Sequence, residues 1–212
     1  MNPLLPAASL AALLVCWTPA SEPQVIDRVL ARVGDQVITL SDARAAITLG
    51  IVEPAGGGDP IAAALSALID RELVLAEANR YAAPPPDPAA VDARLAAIRR
   101  RYQSDADWQA ALDAAALTPA RLLDTVRDTL RVQAYLDEIF SAPAQPTGDE
   151  VARYYEQHRA DFVRDGRQLS LDEARELATE RATSARRRTL VANWLARLRE
   201  RATVIQVYQP AR

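Results

Sequence analysis

Two segments that lie far apart in the chain have the pattern of β-strands, and the residues between them have the apolar spacing of helices. The first segment, 29–40, contains two short strand-like runs separated by Gly34-Asp35. This pair predicts a two-residue hairpin turn, because glycine accepts a positive φ at the first central position. Strand character returns only at residues 203–208, TVIQVY. We therefore expect a helical body closed by a small sheet that joins the two segments.

The first strand of this hairpin has the alternation of a half-buried strand. Side chains alternate between the two faces of a strand, so the pattern has a period of two residues. Val29, Ala31 and Val33 fall on one face and alternate with Arg28, Leu30 and Arg32 on the other.

Helix boundaries are marked by capping residues throughout the middle of the chain. Asp or Thr followed by proline favours a helix start, because the side chain caps the helix and proline fits its first turn. Ser or Thr followed three residues later by Glu forms a capping box. These signals predict helices that start near Ser41, Pro60, Pro88, Ser104, Pro119, Thr147 and Ser170. The first ends near Leu49, the third near Tyr102, the fifth near Phe140 and the last near Arg201.

The composition is that of a globular and mainly helical protein. The chain has 212 residues, 50% of them hydrophobic, and Ala and Leu dominate while aromatic residues are few. Every basic residue is arginine and the net charge is −3, so no basic stripe indicates a nucleic-acid partner. The dense clusters Arg99–Arg101 and Arg186–Arg188 are expected to be solvated helix faces.

Few residues in the chain are of the types that catalytic or metal sites need. His158 is the sole histidine, and no nucleophile elbow or glycine-framed serine accompanies it. Clusters of His and Cys are absent, and Gly56–Gly58 lacks the preceding strand and the lysine of a phosphate loop. Glu72 falls within an apolar helical stripe, where we expect it to pair with an arginine. We therefore expect a protein that is not an enzyme and binds no cofactor or metal ion.

The amino-terminal residues have features of a secretory signal. Residues 4–17 form an uncharged apolar run that is short for a membrane span, and Ala20 is a small residue at a suitable cleavage position. Residues 1–20 are therefore expected to be a signal peptide. The alternative is an uncleaved leader that anchors the protein, because the run has no preceding Arg or Lys. Cys16, the only cysteine, follows Val15, which disfavours lipidation.

The helix predicted over residues 119–140 is apolar on two sides. At about 100° per residue, one side has Leu122, Val126, Leu130 and Ala134, and the other has Val132, Tyr135 and Ile139. A helix of this kind is either buried on all sides or presents its second side to an apolar and transient partner. Both interpretations stay open at this point.

Several blocks of the chain, taken in order, resemble a known chaperone domain. The blocks are VIDRVLARVGDQVITLSDA, ALSALIDRELVLAEA, VDARLAAIRRRY followed by WQAALDAAALTPARLLDTVRDTLRVQAYL, TGDEVARYYEQHRADF, and TLVANWLARLRERATVIQVY. Over residues 25–208 they resemble the SurA-like domain of periplasmic SurA and of PpiC-type peptidyl-prolyl isomerases. The resemblance implies a mainly α, SurA N-terminal-like helical chaperone domain. Its small β-sheet would be formed by an N-terminal hairpin and a C-terminal strand.

One departure from the family bears on activity. The isomerase members have a parvulin domain of about 90 residues, an ordinary size for a small domain, inserted after the equivalent of Asp161-Phe162. Here VRDGRQ alone separates Phe162 from the last helix. The resemblance therefore implies the chaperone part of the family without the isomerase part. It divides the exported chain into a SurA-like N-terminal chaperone region, 21–162, and a C-terminal long helix and strand, 163–212, that complete the same domain.

The resemblance further implies an ATP-independent periplasmic holdase that binds unfolded polypeptides, outer-membrane proteins in particular, through an apolar helical cradle. We expect the client-binding floor to contain Tyr102, Trp108, Val132, Tyr135, Ile139 and Phe140. Two alternatives stay open: an adaptor protein that forms a homodimer through the same helices, and an isomerase with an unrecognised site. An association with the inner membrane is expected only through an uncleaved leader.

Overall fold

The computed structural model describes residues 27–52 and 58–209. Within these ranges the chain is mainly α, as the sequence predicts, and has seven α-helices and five short strands. The helices are α1 (Leu40–Thr48), α2 (Pro60–Arg80), α3 (Pro88–Arg99), α4 (Asp105–Ala114), α5 (Pro119–Phe140), α6 (Gly148–Gln157) and α7 (Leu171–Arg201). The strands are β1 (Val29–Val33), β2 (Gln36–Thr39), β3 (Val163–Arg164), β4 (Arg167–Gln168) and β5 (Val204–Gln206). The predicted signal peptide, with Cys16, lies outside the described residues.

A three-stranded antiparallel sheet, in the order β2-β1-β5, joins the early and late segments of the chain. β1 pairs with β2 across Gly34-Asp35, where Gly34 has the expected positive φ of 56°. β1 also pairs with β5, in a register that places Arg32 opposite Ile205. The predicted hairpin and its pairing with the late strand are therefore confirmed.

The pairing of β1 contains an irregularity that the sequence pattern did not indicate. Between Val29 and Ala31 the register with β2 shifts by one residue, as in a β-bulge. As a result Leu30 and Ala31 are both buried, whereas Val29 is 43% exposed. The predicted alternation is therefore interrupted at Leu30, and β1 is half-buried in a different pattern.

Most helices begin at the predicted caps, because a side-chain oxygen is available there for the free N–H groups of the first turn. The confirmed caps are Asp59, Asp87, Ser104, Thr118, Thr147 and Ser170. α1 begins earlier than predicted, since Thr39 rather than Ser41 is its N-cap and forms a capping box with Asp42. α3 ends at Arg99, before the predicted Tyr102.

Within the described ranges, the buried apolar residues form four clusters. The largest lies between the sheet, α1, α2 and the last turns of α7, and the second lies between α3, α4 and the first half of α5. The third contains α6 and the first half of α7, and the fourth joins α2, the second half of α5 and α7. α7 therefore packs on α6 at one end and on the body of the molecule at the other.

A short hairpin connects Phe162 to the last helix. β3 and β4 pair around Asp165-Gly166, whose φ angles of 53° and 74° suit a two-residue hairpin turn. The base of the hairpin is closed by the N–H of Leu169, which donates to the carbonyl of Phe162 at 2.9 Å. Tyr155 also donates its hydroxyl to the carbonyl of Leu169. The segment VRDGRQ is thus a hairpin whose two ends lie close together.

Candidate functional site

Both apolar sides of α5 contact other helices. On the first side Leu122 and Val126 are buried against α3 and α4, whereas Ala134, expected on the same side, is exposed. On the second side Val132 and Tyr135 pack against α2 and α7. α5 is therefore a central helix. A binding surface on its second side requires that α2 and α7 leave part of that side uncovered.

The six residues predicted to form one client-binding floor fall into two groups. Tyr102 and Trp108 pack on each other with ring centroids 5.2 Å apart, and Tyr102 donates its hydroxyl to the carbonyl of Thr48 at 3.1 Å. This pair belongs to the cluster around α3 and α4. The other four, Val132, Tyr135, Ile139 and Phe140, lie in the second half of α5. The structure therefore does not join the six residues in one surface.

A cleft of ≈ 700 Å³ opens between the end of α2, the second half of α5 and the last turns of α7. Two of the predicted residues, Tyr135 and Ile139, line it. Val132 and Phe140 pack in the same region but are not part of its lining. The full lining is Glu77, Arg80, Tyr81, Ala82, Ala83, Pro84, Tyr135, Glu138, Ile139, Trp194 and Arg201. We call this region the aromatic cleft.

A row of four aromatic rings gives the cleft its character. Tyr81 stacks on Tyr135 with centroids 6.5 Å apart, and Tyr135 lies 6.3 Å from Trp194. Phe140 meets Trp194 edge-on at 5.7 Å. Tyr81 is 63% exposed, whereas Tyr135 is 7% exposed. An exposed ring stacked on a buried ring, at the mouth of a cavity, is typical of a surface that binds apolar groups.

The backbone that presents Tyr81 is held in place by the end of α2. The N–H of Ala83 donates to the carbonyl of Ala78 at 2.9 Å, and Ala82 has a φ of 50°, which together form a Schellman C-cap. Arg131 on α5 donates to Asn79 Oδ1 at 2.6 Å and to the carbonyl of Ala83 at 3.0 Å. The loop wall of the cleft is therefore fixed to α5.

Charged side chains surround the central tyrosine of the cleft. Burial raises the pKa of Tyr135, and the carboxylates of Glu77 and Glu138 raise it further, while Arg80 opposes them. Glu77 also lies 3.5 Å from Arg80 in an ion pair. Two glutamates and two arginines, Glu77, Glu138, Arg80 and Arg201, line the cleft, so its acidic and basic side chains are equal in number.

Two aromatic residues of the cleft, Tyr81 and Trp194, were not among the predicted site residues. Tyr81 is the C-cap of α2, and Trp194 lies in α7, a helix with many charged residues. The sequence offered one signal for both residues. Aromatic residues are scarce in this chain, so each one was a candidate for a binding surface. Their convergence depends on how α7 crosses α2 and α5, which local patterns do not specify.

Neither a metal site nor a membrane span is recognisable in the described residues. No group of His, Cys, Asp and Glu among residues 27–52 and 58–209 is arranged to hold a metal ion. No helix of the same ranges combines the length and the apolar character needed to cross a bilayer. Glu72 forms the expected ion pair, with Arg71 at 2.9 Å.

Comparison with known proteins gives no further assignment. No protein-family model matches the chain. No curated protein is significantly similar to it. The functional interpretation therefore depends on the geometry of the aromatic cleft and on the resemblance described above.

Proposed function

We propose that this protein is an ATP-independent periplasmic chaperone that holds unfolded polypeptides, outer-membrane proteins in particular, against the aromatic cleft. The observation that supports this proposal most is the exposed ring of Tyr81, stacked on Tyr135 beside Trp194. Aromatic rings provide a large contact area with little loss of side-chain entropy. Contacts of this type tolerate many client sequences, and release needs no nucleotide because each contact is weak.

The proposal includes assignment to the SurA-like chaperone domain without isomerase activity. The small sheet made from an early hairpin and a late strand supports the assignment. The hairpin at residues 163–168 stands where the resembling isomerases have an inserted parvulin domain. The chain thus has a connection there that is too short for a catalytic module.

A test of the proposal uses the exposed ring of the cleft. An unfolded outer-membrane barrel protein is diluted from urea in the presence of this protein, and aggregation is followed by light scattering. Because Tyr81 is mostly exposed, Tyr81→Ala is expected to fold normally. We expect it to weaken client binding about five- to tenfold, as loss of an aromatic contact residue does at other interfaces.

The matched control is Val163→Ala, which removes an apolar side chain of similar exposure, 49%, on the β3–β4 hairpin. We expect this variant to suppress aggregation as well as the wild type. Unchanged suppression by a folded Tyr81→Ala variant would contradict the assignment of the cleft. A tight dimer that ignores unfolded polypeptides would instead support an adaptor, and turnover in a proline-isomerisation assay would contradict the absence of isomerase activity.

A further inference from the structure

The outer strand of the sheet, β5, has backbone hydrogen-bonding groups at an open edge. The N–H of Gly34 donates to the carbonyl of Thr203 at 3.0 Å, so the backbone groups of Thr203 face β1. Because this direction alternates along an antiparallel strand, the N–H and C=O groups of Val204 and Gln206 point away from β1. Among the described residues, none forms a backbone hydrogen bond with these four groups. The edge of β5 can therefore accept a further strand.

The outer face of the sheet beside this edge is apolar. Arg32 lies opposite both Val37 of β2 and Ile205 of β5, so these three side chains form one row across the sheet. Val37, Ile205 and Val207 are among the most exposed large hydrophobic residues of the described chain, at 49%, 51% and 59%. The opposite face of β5 has Gln206, which is exposed. A strand added at this edge would therefore meet apolar side chains on one face and a polar side chain on the other.

The strand also lacks two features that commonly protect a sheet edge. Native edge strands often have charged side chains or proline, which prevent pairing with another chain. Residues 203–208, TVIQVY, have neither a charged residue nor a proline. In the part of the chain that the structure describes, no strand continues the sheet beyond β5.

The size and position of the edge favour a single extended polypeptide segment over a second copy of the protein. β5 has three residues, which span about 10 Å of strand, whereas a stable dimer buries about 800 Å² on each partner. Strand addition needs only a few main-chain hydrogen bonds. Arg201, which lines the aromatic cleft, also lies just before β5 in the chain. The edge therefore continues the surface that we propose to hold unfolded polypeptides.

We propose that the open edge of β5 binds an extended segment of an unfolded client, which is added to the sheet as a further strand. The main chain of the segment bonds to the N–H and C=O groups of Val204 and Gln206, and its apolar side chains lie beside Ile205 and Val207. Strands of outer-membrane barrels alternate apolar and polar side chains, which matches the two faces of this edge. This inference rests on the proposed function, because it assumes that the protein holds unfolded polypeptide.

The test removes a donor from the open edge and leaves the pairing of β1 with β5 intact. Gln206→Pro has no N–H at this position, and an edge strand tolerates proline where the N–H faces solvent. Binding of a labelled peptide with the alternating pattern of one barrel strand is measured by fluorescence anisotropy. We expect Gln206→Pro to bind this peptide about tenfold more weakly than the wild type does. The matched control is Gln206→Ala, which keeps the N–H and should bind like the wild type.

A second measurement uses the wild-type protein alone and so does not depend on the folding of a variant. Two further peptides have the same sequence but are N-methylated at every second residue, one at the odd and one at the even positions. Strand addition requires the N–H groups on one side of the peptide, so we expect one of the two to bind about tenfold more weakly. Hydrogen exchange at the amides of Val204 and Gln206 should also slow when the unmethylated peptide binds.

The outcomes separate this inference from the proposed function. Equal binding of the three peptides to the wild type, with no change in hydrogen exchange at Val204 and Gln206, overturns the inference. Protection of these amides without peptide, rising with protein concentration, identifies a second copy as the occupant and also overturns it. In both cases suppression of aggregation that is weakened by Tyr81→Ala leaves the chaperone proposal standing. If the wild type neither binds the peptide nor suppresses aggregation, the proposed function fails together with the inference.

Discussion

The hydroxyl of Tyr208 donates a hydrogen bond to the carboxylate of Asp59 at 2.5 Å, although 149 residues separate the two in sequence. Asp59 also accepts from the N–H groups of Ile61 and Ala62 as the N-cap of α2. Arg28 lies over the ring of Tyr208 at 5.6 Å. The carboxylate of Asp59 thus caps α2, which forms part of the cleft, and also binds the segment that follows β5.

Removing this hydroxyl is expected to lower the thermal stability of the protein. The bond from Tyr208 lowers the pKa of Asp59, so its stabilising effect is present at neutral pH and is lost as pH falls through the lowered pKa. Tyr208→Phe should therefore have a lower Tm than the wild type at pH 7, and the two should converge in strong acid. Circular dichroism measures both, and Tyr81→Phe is the control for loss of an exposed hydroxyl. Equal Tm values at pH 7 would contradict the prediction.

Replacement of Gly50 by alanine is expected to destabilise the protein. It ends α1 with a φ of 61°, a conformation that costs an L-residue about 1–2 kcal/mol. A Cβ at this position would also collide with Nη1 of Arg101, which donates to the carbonyl of Leu49 at 3.0 Å and would have to move. Gly50→Ala should therefore reduce the free energy of unfolding by about 1–3 kcal/mol, measured by urea denaturation.

Gly34→Ala is the comparison, because the φ of Gly34 is also positive but a Cβ there would meet no atom within 4 Å. A loss no larger in Gly50→Ala than in Gly34→Ala would show that the contact with Arg101 contributes nothing.

The opposite substitution is expected to stabilise the end of α4. Ala116 has a φ of 51°, and the N–H of Leu117 donates to the carbonyl of Leu112 at 2.9 Å, as in the cap at Gly50. Here an alanine occupies the position that glycine prefers. Ala116→Gly should raise the free energy of unfolding by about 0.5–1 kcal/mol, because the relief of strain exceeds the entropy that glycine adds to the unfolded chain.

The control for this variant is Ala110→Gly, at an exposed position in the interior of α4, where glycine should destabilise by about 1 kcal/mol. Both variants are measured by the same urea titration. A destabilisation in Ala116→Gly similar to that in Ala110→Gly would show that the strain at Ala116 is negligible.

The start of α7 is expected to contribute to acid sensitivity. Hydrogen bonds from Arg167, together with the N–H of Ser170, lower the pKa of Glu173 from 4.5 to about 2. Since the folded value lies below the unfolded one, the stabilisation is complete above the unfolded pKa and is lost as pH falls toward about 2. Glu173→Gln should be less stable than the wild type at pH 7 and lose less stability on acidification. The measurement is Tm as a function of pH below neutrality, with Glu180→Gln as the control. The same decrease of Tm with falling pH in Glu173→Gln and in the wild type would contradict the prediction.

The helix boundaries were largely predictable because they depend on local chemistry. Asp59-Pro60 and Thr118-Pro119 each contain the cap and the favourable first residue within two positions, so no distant contact is needed to place the start. Even the error at Ser41 concerned a local signal, since Thr39 and Asp42 formed the better capping box. The sheet was predictable because an isolated two-stranded hairpin is only marginally stable and needs a further strand. Residues 203–208 were the other clear strand-like segment of the sequence.

The candidate site was predictable only in part because it depends on helix crossings. Two apolar sides on α5 could be read from spacing, but the helices that cover them could not. The predicted client-binding floor therefore includes Tyr102 and Trp108, which belong to a different cluster from the other four residues. It also omits Trp194, although this ring packs on Tyr135. The bulge at Leu30 was missed because pairing register is a property of two strands rather than one.

The position of β1 between β2 and β5 has a consequence for folding during synthesis. A polypeptide leaves the ribosome amino end first, so β1 exists long before Val204–Gln206 can pair with it. Throughout that interval one edge of β1 has no partner, and the apolar side chains beneath the sheet lack part of their cover. The sheet can therefore be completed only after residues 204–206 have been synthesised, and until then the free edge of β1 is a site at which another chain can pair.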